Sequence, residues 1–232
     1  MDFEQFADFD LSVLQSVHGN NSMLLDSFVS LFTYTPTWLL FYVILFYLVV
    51  KNNERFGQIA LIVSCATICL LLSGGLSEWL VKPMTERLRP INDPSLANVV
   101  AIVRNNFEPS YSFFSGHAAN TASVAVFVSL LVRHRMLSLL LISWSLLMAW
   151  SRVYLAVHFP TDVIFGWLWG ILVGLTVYFL HRYFYRRMSS NLHYVSSQYT
   201  STGYSLQDID IVFLTFVLTV ISVLITSIIL VF

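Results

Sequence analysis

Long apolar runs constrain this chain more than any other feature of its sequence. They recur six times, and most approach the 17–25 or so residues that a helix needs to cross a bilayer. Of the 232 residues, 57% are hydrophobic and 11% are charged, whereas a soluble domain carries roughly 25% charged residues. The runs lack the alternation of barrel strands. We therefore predict an all-α, polytopic membrane bundle with six transmembrane helices, at 34–50, 57–81, 116–132, 136–157, 162–180 and 209–232.

The segment 1–33 precedes these runs, and we assign it as an N-terminal interfacial segment. Apolar residues recur there at helical spacing, from Leu24 to Phe32, which is typical of a helix lying on the membrane surface. A helix packed on the bundle is an open alternative. The first 35 residues carry no Lys or Arg, so we expect no cleavable signal peptide. The length fits a single domain, 1–232.

Three polar blocks interrupt the apolar pattern. The first runs through 82–90, the second is Ser115–Gly116–His117, and the third holds Ser151, Arg152, His158 and Asp162. With six alternating helices, all three blocks fall at the same face of the membrane. Ionisable groups beside hydrocarbon are costly, so their gathering there predicts a functional site.

The cations of these blocks suit a phosphate. Lys82, Arg89 and Arg152 can neutralise a phosphate dianion and the charge that spreads over its oxygens during transfer. The backbone amides of Ser115 and Gly116 precede a helix, where an anion is favoured, and glycine allows close approach. Snorkelling to lipid headgroups would explain one or two cations, but not their spacing with the histidines.

Two histidines and a carboxylate complete a hydrolytic set. Asp162 lies one helical turn after His158 and can hold its tautomer and stabilise its cationic form. His158 would be the nucleophile, and His117 would protonate the leaving oxygen and later activate water. These types also bind metals, but three neighbouring cations would repel a divalent ion. We therefore expect no metal.

Basic residues outside the blocks predict the orientation. Seven of them fall on the membrane side opposite the blocks: Lys51, Arg55, Arg133, Arg135, Arg182, Arg186 and Arg187. The positive-inside rule assigns that side to the cytoplasm and the blocks to the extracytoplasmic side. Beyond the blocks, Arg104 is a candidate for contact with a substrate headgroup or for a surface position. The net charge of −1 gives no indication of nucleic-acid binding.

The pattern Lys82-x6-Arg89-Pro90, Ser115-Gly116-His117 and Ser151-Arg152-x5-His158-x3-Asp162 resembles the type 2 phosphatidic acid phosphatase (PAP2) superfamily. That family includes lipid phosphate phosphatases, undecaprenyl pyrophosphate phosphatases, lipid A phosphatases, glucose-6-phosphatase and vanadium haloperoxidases. The resemblance implies hydrolysis without metal or other cofactor, with the catalytic motifs in 82–162. It makes His158 the nucleophile, Asp162 its partner and His117 the general acid. The phosphate-binding residues that it implies are Lys82, Arg89, Ser115, Gly116 and Arg152.

One position departs from the family. Phe114 stands where the family usually has proline before Ser-Gly-His. Proline only presets the turn there, so we expect catalysis to survive. Phe113 and Phe114 are candidates for lining the opening through which lipid enters, and Glu86 and Arg87 for an ion pair with each other.

These observations predict an integral membrane lipid phosphatase in a bacterial inner membrane, with its site facing the periplasm. By analogy we favour undecaprenyl pyrophosphate or lipid A phosphate as substrate. Phosphatidylglycerol phosphate, phosphatidic acid and phosphate transfer to a second acceptor are enzymatic alternatives. A lipid binder or transporter is the non-enzymatic one. The sequence does not indicate an oligomeric state.

Overall fold

The computed structural model describes residues 4–18, 22–98, 100, 111–188 and 197–232, so Arg104 lies outside the described residues. The described part of the chain is helical, and its β pairing is limited to an isolated bridge between Tyr199 and Ser205. This confirms the all-α class. The principal helices are α1 (Ala7–Val17), α2 (Met23–Thr33), α3 (Leu39–Lys51), α4 (Phe56–Thr85), α5 (Gly116–Val132), α6 (Arg135–Tyr154), α7 (Pro160–Met188) and α8 (Leu206–Val231).

Several helices are long and apolar enough to cross a membrane. α4, α6, α7 and α8 each meet this test, whereas α2 and α3 meet it only together, across a 66° bend. α5 is apolar but has 17 residues. The chain is therefore a multi-pass membrane protein with four or five spans by length and composition. The count of six stays a prediction.

The N-terminal segment packs on the bundle. α2 lies against α8 and α6, and Val29 and Phe32 on its inner face are buried. These contacts correspond to the second interpretation of this segment, and an interfacial position is not confirmed.

Three glycines of α7 at a spacing of four residues, Gly166, Gly170 and Gly174, lie against the backbone of α5. A Cβ atom at Gly166 would lie 2.5 Å from the Ser115 carbonyl oxygen, and one at Gly174 would lie 2.7 Å from that of Ser123. Small residues four apart let two membrane helices approach at backbone distance. Their packing fixes Ser115, the first residue before α5, against the start of α7.

α4 widens near its end. Leu71–Gly75 and Ser77–Val81 are π-helical turns, which occur mostly as local bulges at functional sites. The Asn120 side chain of α5 accepts a hydrogen bond from the Gly74 amide at 2.8 Å, and Ser77 Oγ donates to the Phe114 carbonyl at 2.6 Å. The end of α4 is thereby tied to the segment that leads into α5.

Candidate active site

The three polar blocks meet at one end of the bundle. The Ser115 amide donates to the Asp162 carbonyl at 3.0 Å, which links the second block to the third. Arg89 Nη1 donates to the Val157 carbonyl at 2.8 Å, which links the first block to the third. The structure therefore brings the blocks together as the helix order predicts.

His158 is buried beside Arg89, with 1% of its surface exposed. Its Nε2 lies 3.2 Å from Arg89 Nη1. Arginine carries only donors, so Nε2 accepts and the ring proton is on Nδ1. Nδ1 lies 3.3 Å from the Ser112 hydroxyl, which is the acceptor for that proton. The Nε2 lone pair consequently points toward the cationic side of the site.

Asp162 supports His158 through Ser112 rather than directly. The distance from His158 Nδ1 to Asp162 Oδ2 is 3.9 Å, too long for a hydrogen bond. Ser112 Oγ donates to Asp162 Oδ2, and the Phe159 amide donates to the same oxygen at 3.0 Å. The structure thus connects His158 to Asp162 through Ser112, and the role of Asp162 as the partner of His158 stays a prediction.

Arg87 belongs to this chain and does not pair with Glu86. Its Nη1 forms an ion pair with Asp162 Oδ1, and its Nη2 forms another with Asp10 Oδ2 at 2.6 Å. The guanidinium also lies 4.1 Å from the centre of the Phe159 ring. Arg87 therefore neutralises two buried carboxylates at once.

Asp10 on α1 completes the N-terminus of α7. Its Oδ1 accepts from the Thr161 amide at 2.9 Å, and its Oδ2 accepts from the Thr161 hydroxyl at 2.7 Å. The first amides of a helix lack partners within the helix and favour negative charge. Asp10 supplies both a hydrogen-bond acceptor and a negative charge, so the N-terminal segment takes part in building the site.

Lys82 is buried and forms an ion pair with Glu78, one turn earlier on α4. The Glu78 Oε1 atom would lie 3.5 Å from a Cβ at Gly116, an ordinary van der Waals distance. Surrounding protein atoms therefore do not require glycine at 116. The Glu78 carboxylate lies between a predicted phosphate-binding lysine and the start of α5.

Ser115 is the N-cap of α5. Its backbone is extended, and its Oγ accepts from the Ala118 amide at 3.5 Å. An N-cap serine ends the preceding extended segment and starts the helix, so the predicted start of this helix is confirmed.

Arg152 and His117 contact the corner between α2 and α3. Buried Arg152 donates from Nη1 to Thr33 Oγ1 at 3.3 Å, and half-buried His117 has its Nε2 3.3 Å from Thr35 Oγ1. These contacts connect two of the predicted site residues to the corner.

The two phenylalanines before Ser115 are buried. Phe113 packs against Phe165 with ring centres 5.6 Å apart, and Phe114 packs against Trp169 at 6.4 Å. Both side chains therefore contribute to packing between α7 and the segment before α5, and neither presents an open face to lipid.

Metal ligands are not assembled in the described part of the chain. No group of three or more His, Cys, Asp or Glu side chains there could hold a metal ion. Metal-independent hydrolysis stays a prediction.

The sequence alone does not identify four residues of the site region, because each is a common residue type without motif spacing: Asp10, Ser112, Thr33 and Thr35. For Arg87 the sequence offers one weak indication of a place in the site, which is that it is a cation inside the first polar block. Only tertiary packing pairs it with Asp10 rather than with Glu86.

Comparison with known proteins identifies the family of this chain. The PAP2 superfamily profile matches residues 62–186, more than half of the chain. A lipid A 4′-phosphatase of Porphyromonas gingivalis is 30% identical over 181 residues, which cover 78% of this chain and 76% of that protein. A lipid A 4′-phosphatase of Bacteroides thetaiotaomicron is 27% identical over 227 residues, covering 97% and 98%. The crystal structure of Aquifex aeolicus LpxE shares the fold, with a TM-score of 0.53 and 24% identity over 72% of this chain and 93% of that one.

Proposed function

The chain belongs to the PAP2 superfamily as a lipid phosphatase, and we propose that it removes the terminal phosphate of a membrane lipid phosphate or pyrophosphate. Lipid A phosphate is the leading substrate, since two relatives of matching length carry that activity in their names. Undecaprenyl pyrophosphate is the second candidate, ahead of phosphatidylglycerol phosphate and phosphatidic acid.

The observation that carries this proposal is the pairing of His158 with Arg89 on one ring nitrogen and with Ser112 on the other. A neutral imidazole whose lone pair faces a buried guanidinium is arranged to attack an anion that the guanidinium holds. A merely structural histidine would not need a cation in front of its lone pair.

In the first step, phosphate would enter between Arg89 and His158, with Lys82, Arg152 and the amides of Ser115 and Gly116 as further donors. The His158 Nε2 lone pair forms a P–N bond while the bond from phosphorus to the leaving oxygen breaks. That oxygen keeps the electron pair and takes the proton of His117. The positive charge on His158 is stabilised through Ser112 by Asp162.

In the second step, water attacks the phosphohistidine. His117, now neutral, takes a proton from the water as its oxygen bonds to phosphorus and the P–N bond breaks. Inorganic phosphate leaves, and His158 regains its lone pair. Every proton and electron pair is then back in place, and neither metal nor cofactor takes part.

The proposal extends to topology. We infer six spans, with α2 and α3 together forming one bent span and α5 a short one, in a single domain of a bacterial inner membrane. The basic residues at the end of α3, the start of α6 and the end of α7 support a cytoplasmic position for that side, which gives the site an extracytoplasmic position.

Phosphate release by purified protein tests the function. The substrates are lipid A, undecaprenyl pyrophosphate, phosphatidylglycerol phosphate and phosphatidic acid, each assayed with and without EDTA. We expect the highest kcat/KM on lipid A and no loss with EDTA. His158→Ala should lose at least about 10³-fold, whereas His134→Asn, at the opposite end of α6, should keep its activity.

Four outcomes would overturn parts of this proposal. Full activity of His158→Ala would refute the nucleophile, and a requirement for metal would refute the mechanism. Phosphate recovered on a second lipid instead of in solution would identify a phosphotransferase. Lipid binding without any turnover would favour a binder or transporter.

A further inference from the structure

The corner between α2 and α3 contacts the site at two points. Thr33 accepts a hydrogen bond from Arg152, on the phosphate side, and Thr35 contacts the Nε2 atom of His117, the proposed acid, at 3.3 Å. The corner lies before residue 62, where the family match begins. It is therefore a part of the site that the family motifs do not describe.

This corner is held in place by packing. Thr37 Oγ1 donates to the Leu31 carbonyl at 2.8 Å, and Trp38 Nε1 donates to the Phe32 carbonyl at 2.7 Å. Trp38 is fully buried and lies within 5.7 Å, centre to centre, of Phe41, Trp144 and Phe216. Groups on such an anchored corner are pre-organised for a ligand.

The contact with His117 locates the leaving group. An acid must lie within hydrogen-bond reach of the oxygen that it protonates. Thr35 Oγ1 already lies at such a distance from Nε2, and Thr35 itself is exposed. A leaving oxygen that takes its proton from Nε2 therefore approaches His117 from beside Thr35.

We propose that the α2–α3 corner is the subsite for the leaving group and that Thr35 determines its specificity. When substrate binds, the leaving oxygen replaces the Thr35 hydroxyl as the hydrogen-bond partner of His117 Nε2. The Thr35 hydroxyl then donates to another oxygen of the leaving group. The corner thus favours hydroxylated alkoxide leaving groups, such as a sugar, which need a proton to depart. This inference rests on the proposed function.

Two phosphate esters that differ only in their leaving group test it. p-Nitrophenyl phosphate releases a stable phenolate and gains little from an acid, whereas a dodecyl glycoside phosphorylated on its sugar releases an alkoxide. We expect Thr35→Val to lower kcat/KM about tenfold on the glycoside phosphate, a loss in keeping with one hydrogen bond, and less than about threefold on the aryl ester. Thr35→Ser should restore most of the glycoside activity.

The matched control is Thr67→Val, which removes an exposed hydroxyl that donates to the Val63 carbonyl within α4, away from the corner. It should change both esters by the same factor. Inhibition by inorganic phosphate adds a readout without a leaving group: Thr33→Val should raise its Ki, whereas Thr35→Val should leave it within about twofold, because the phosphate contacts are untouched.

Equal loss on both esters in Thr35→Val, or no loss on either, would overturn the subsite. Wild-type protein that released phosphate from neither these esters nor the lipid panel would instead overturn the proposed function. The two failures are therefore distinct.

Discussion

At the scale of single residues, the site depends on hydrogen bonds that connect ionisable side chains through a third residue. Asp162 is fully buried, yet its oxygens serve Ser112, Arg87 and the Phe159 amide rather than His158 itself. A buried carboxylate is tolerated when every oxygen has a donor. The Ser112 hydroxyl donates to Asp162, and its oxygen accepts the His158 ring proton.

Removal of the Ser112 hydroxyl should therefore weaken the nucleophile. We expect Ser112→Ala to lower kcat by about 10- to 100-fold with a small change in KM, because a hydrogen bond in a charged chain contributes about 1.5–3 kcal/mol. Steady-state kinetics in detergent measure both constants. Ser138→Ala, which removes a hydroxyl bonded to the His134 carbonyl at 3.0 Å, is the control and should match wild type. An unchanged kcat in Ser112→Ala would contradict the bridged chain.

The pair of Asp10 and Arg87 should act as a unit in stability. Breaking a buried ion pair costs about 3–5 kcal/mol because the remaining charge is left uncompensated. We expect Asp10→Ala and Arg87→Ala each to lower the free energy of unfolding strongly. The loss in the double variant should be smaller than the sum of the two single losses, by at least about 1 kcal/mol. Chemical unfolding in detergent provides the three values. Asp10→Ala combined with Asp208→Ala, at the far end of the bundle, should be additive, and additivity for the first pair would refute the coupling.

The sequence singles out the candidate site residues because their types and spacing are unusual in an apolar chain. It did not predict Asp10 or Ser112, whose roles arise from packing of α1 and of the segment before α5. It was also wrong about Arg87, since an adjacent carboxylate at Glu86 looks like a partner until the fold supplies two buried ones.

At the scale of helices, apolar length and capping residues predicted most boundaries. The run at 116–132 coincides with α5, because Ser115 caps its start. The run at 57–81 continues to Thr85, since its π-helical turns and the buried Lys82 carry the helix into the first polar block. The 66° bend between α2 and α3 coincides with a short 3-10 turn, Thr35–Trp38, that holds Pro36, and proline disfavours the helical conformation in the residue before it.

The close contact of α5 and α7 gives a prediction about stability. A Cβ at Gly174 would lie 2.7 Å from the Ser123 carbonyl oxygen, which is backbone and cannot move alone. We expect Gly174→Ala to destabilise the protein by about 1–3 kcal/mol through overpacking, measured as a lower Tm in detergent. Gly75→Ala is the matched control, because its Cβ would meet Trp79 at an ordinary 3.5 Å. A Tm for Gly174→Ala equal to that of the control would show that the helices can separate without cost.

At the scale of the whole molecule, one end of the bundle holds the candidate site, and seven of the twelve Lys and Arg residues belong to the opposite end. The polar blocks of α4, α5, α6 and α7 meet at the first end. Arg133 follows α5, Arg135 begins α6, and Arg186 and Arg187 lie in the last turn of α7. Sequence order and helix alternation predict this separation without any knowledge of packing. The direction of the bundle in its membrane rests on the charge asymmetry alone.

Cysteine labelling in spheroplasts can decide that direction. Met84, at the site end, is 75% exposed and Met136, at the start of α6, is 60% exposed, so Met84→Cys and Met136→Cys form a matched pair. We expect a membrane-impermeant maleimide to label Met84→Cys in intact spheroplasts and to label Met136→Cys only after detergent is added. Wild-type protein is the control, and its two cysteines, Cys65 and Cys69, are buried and should stay unlabelled. The opposite labelling pattern would contradict this orientation and assign the site to the cytoplasmic side. The substrate would then have to be a lipid of the inner leaflet.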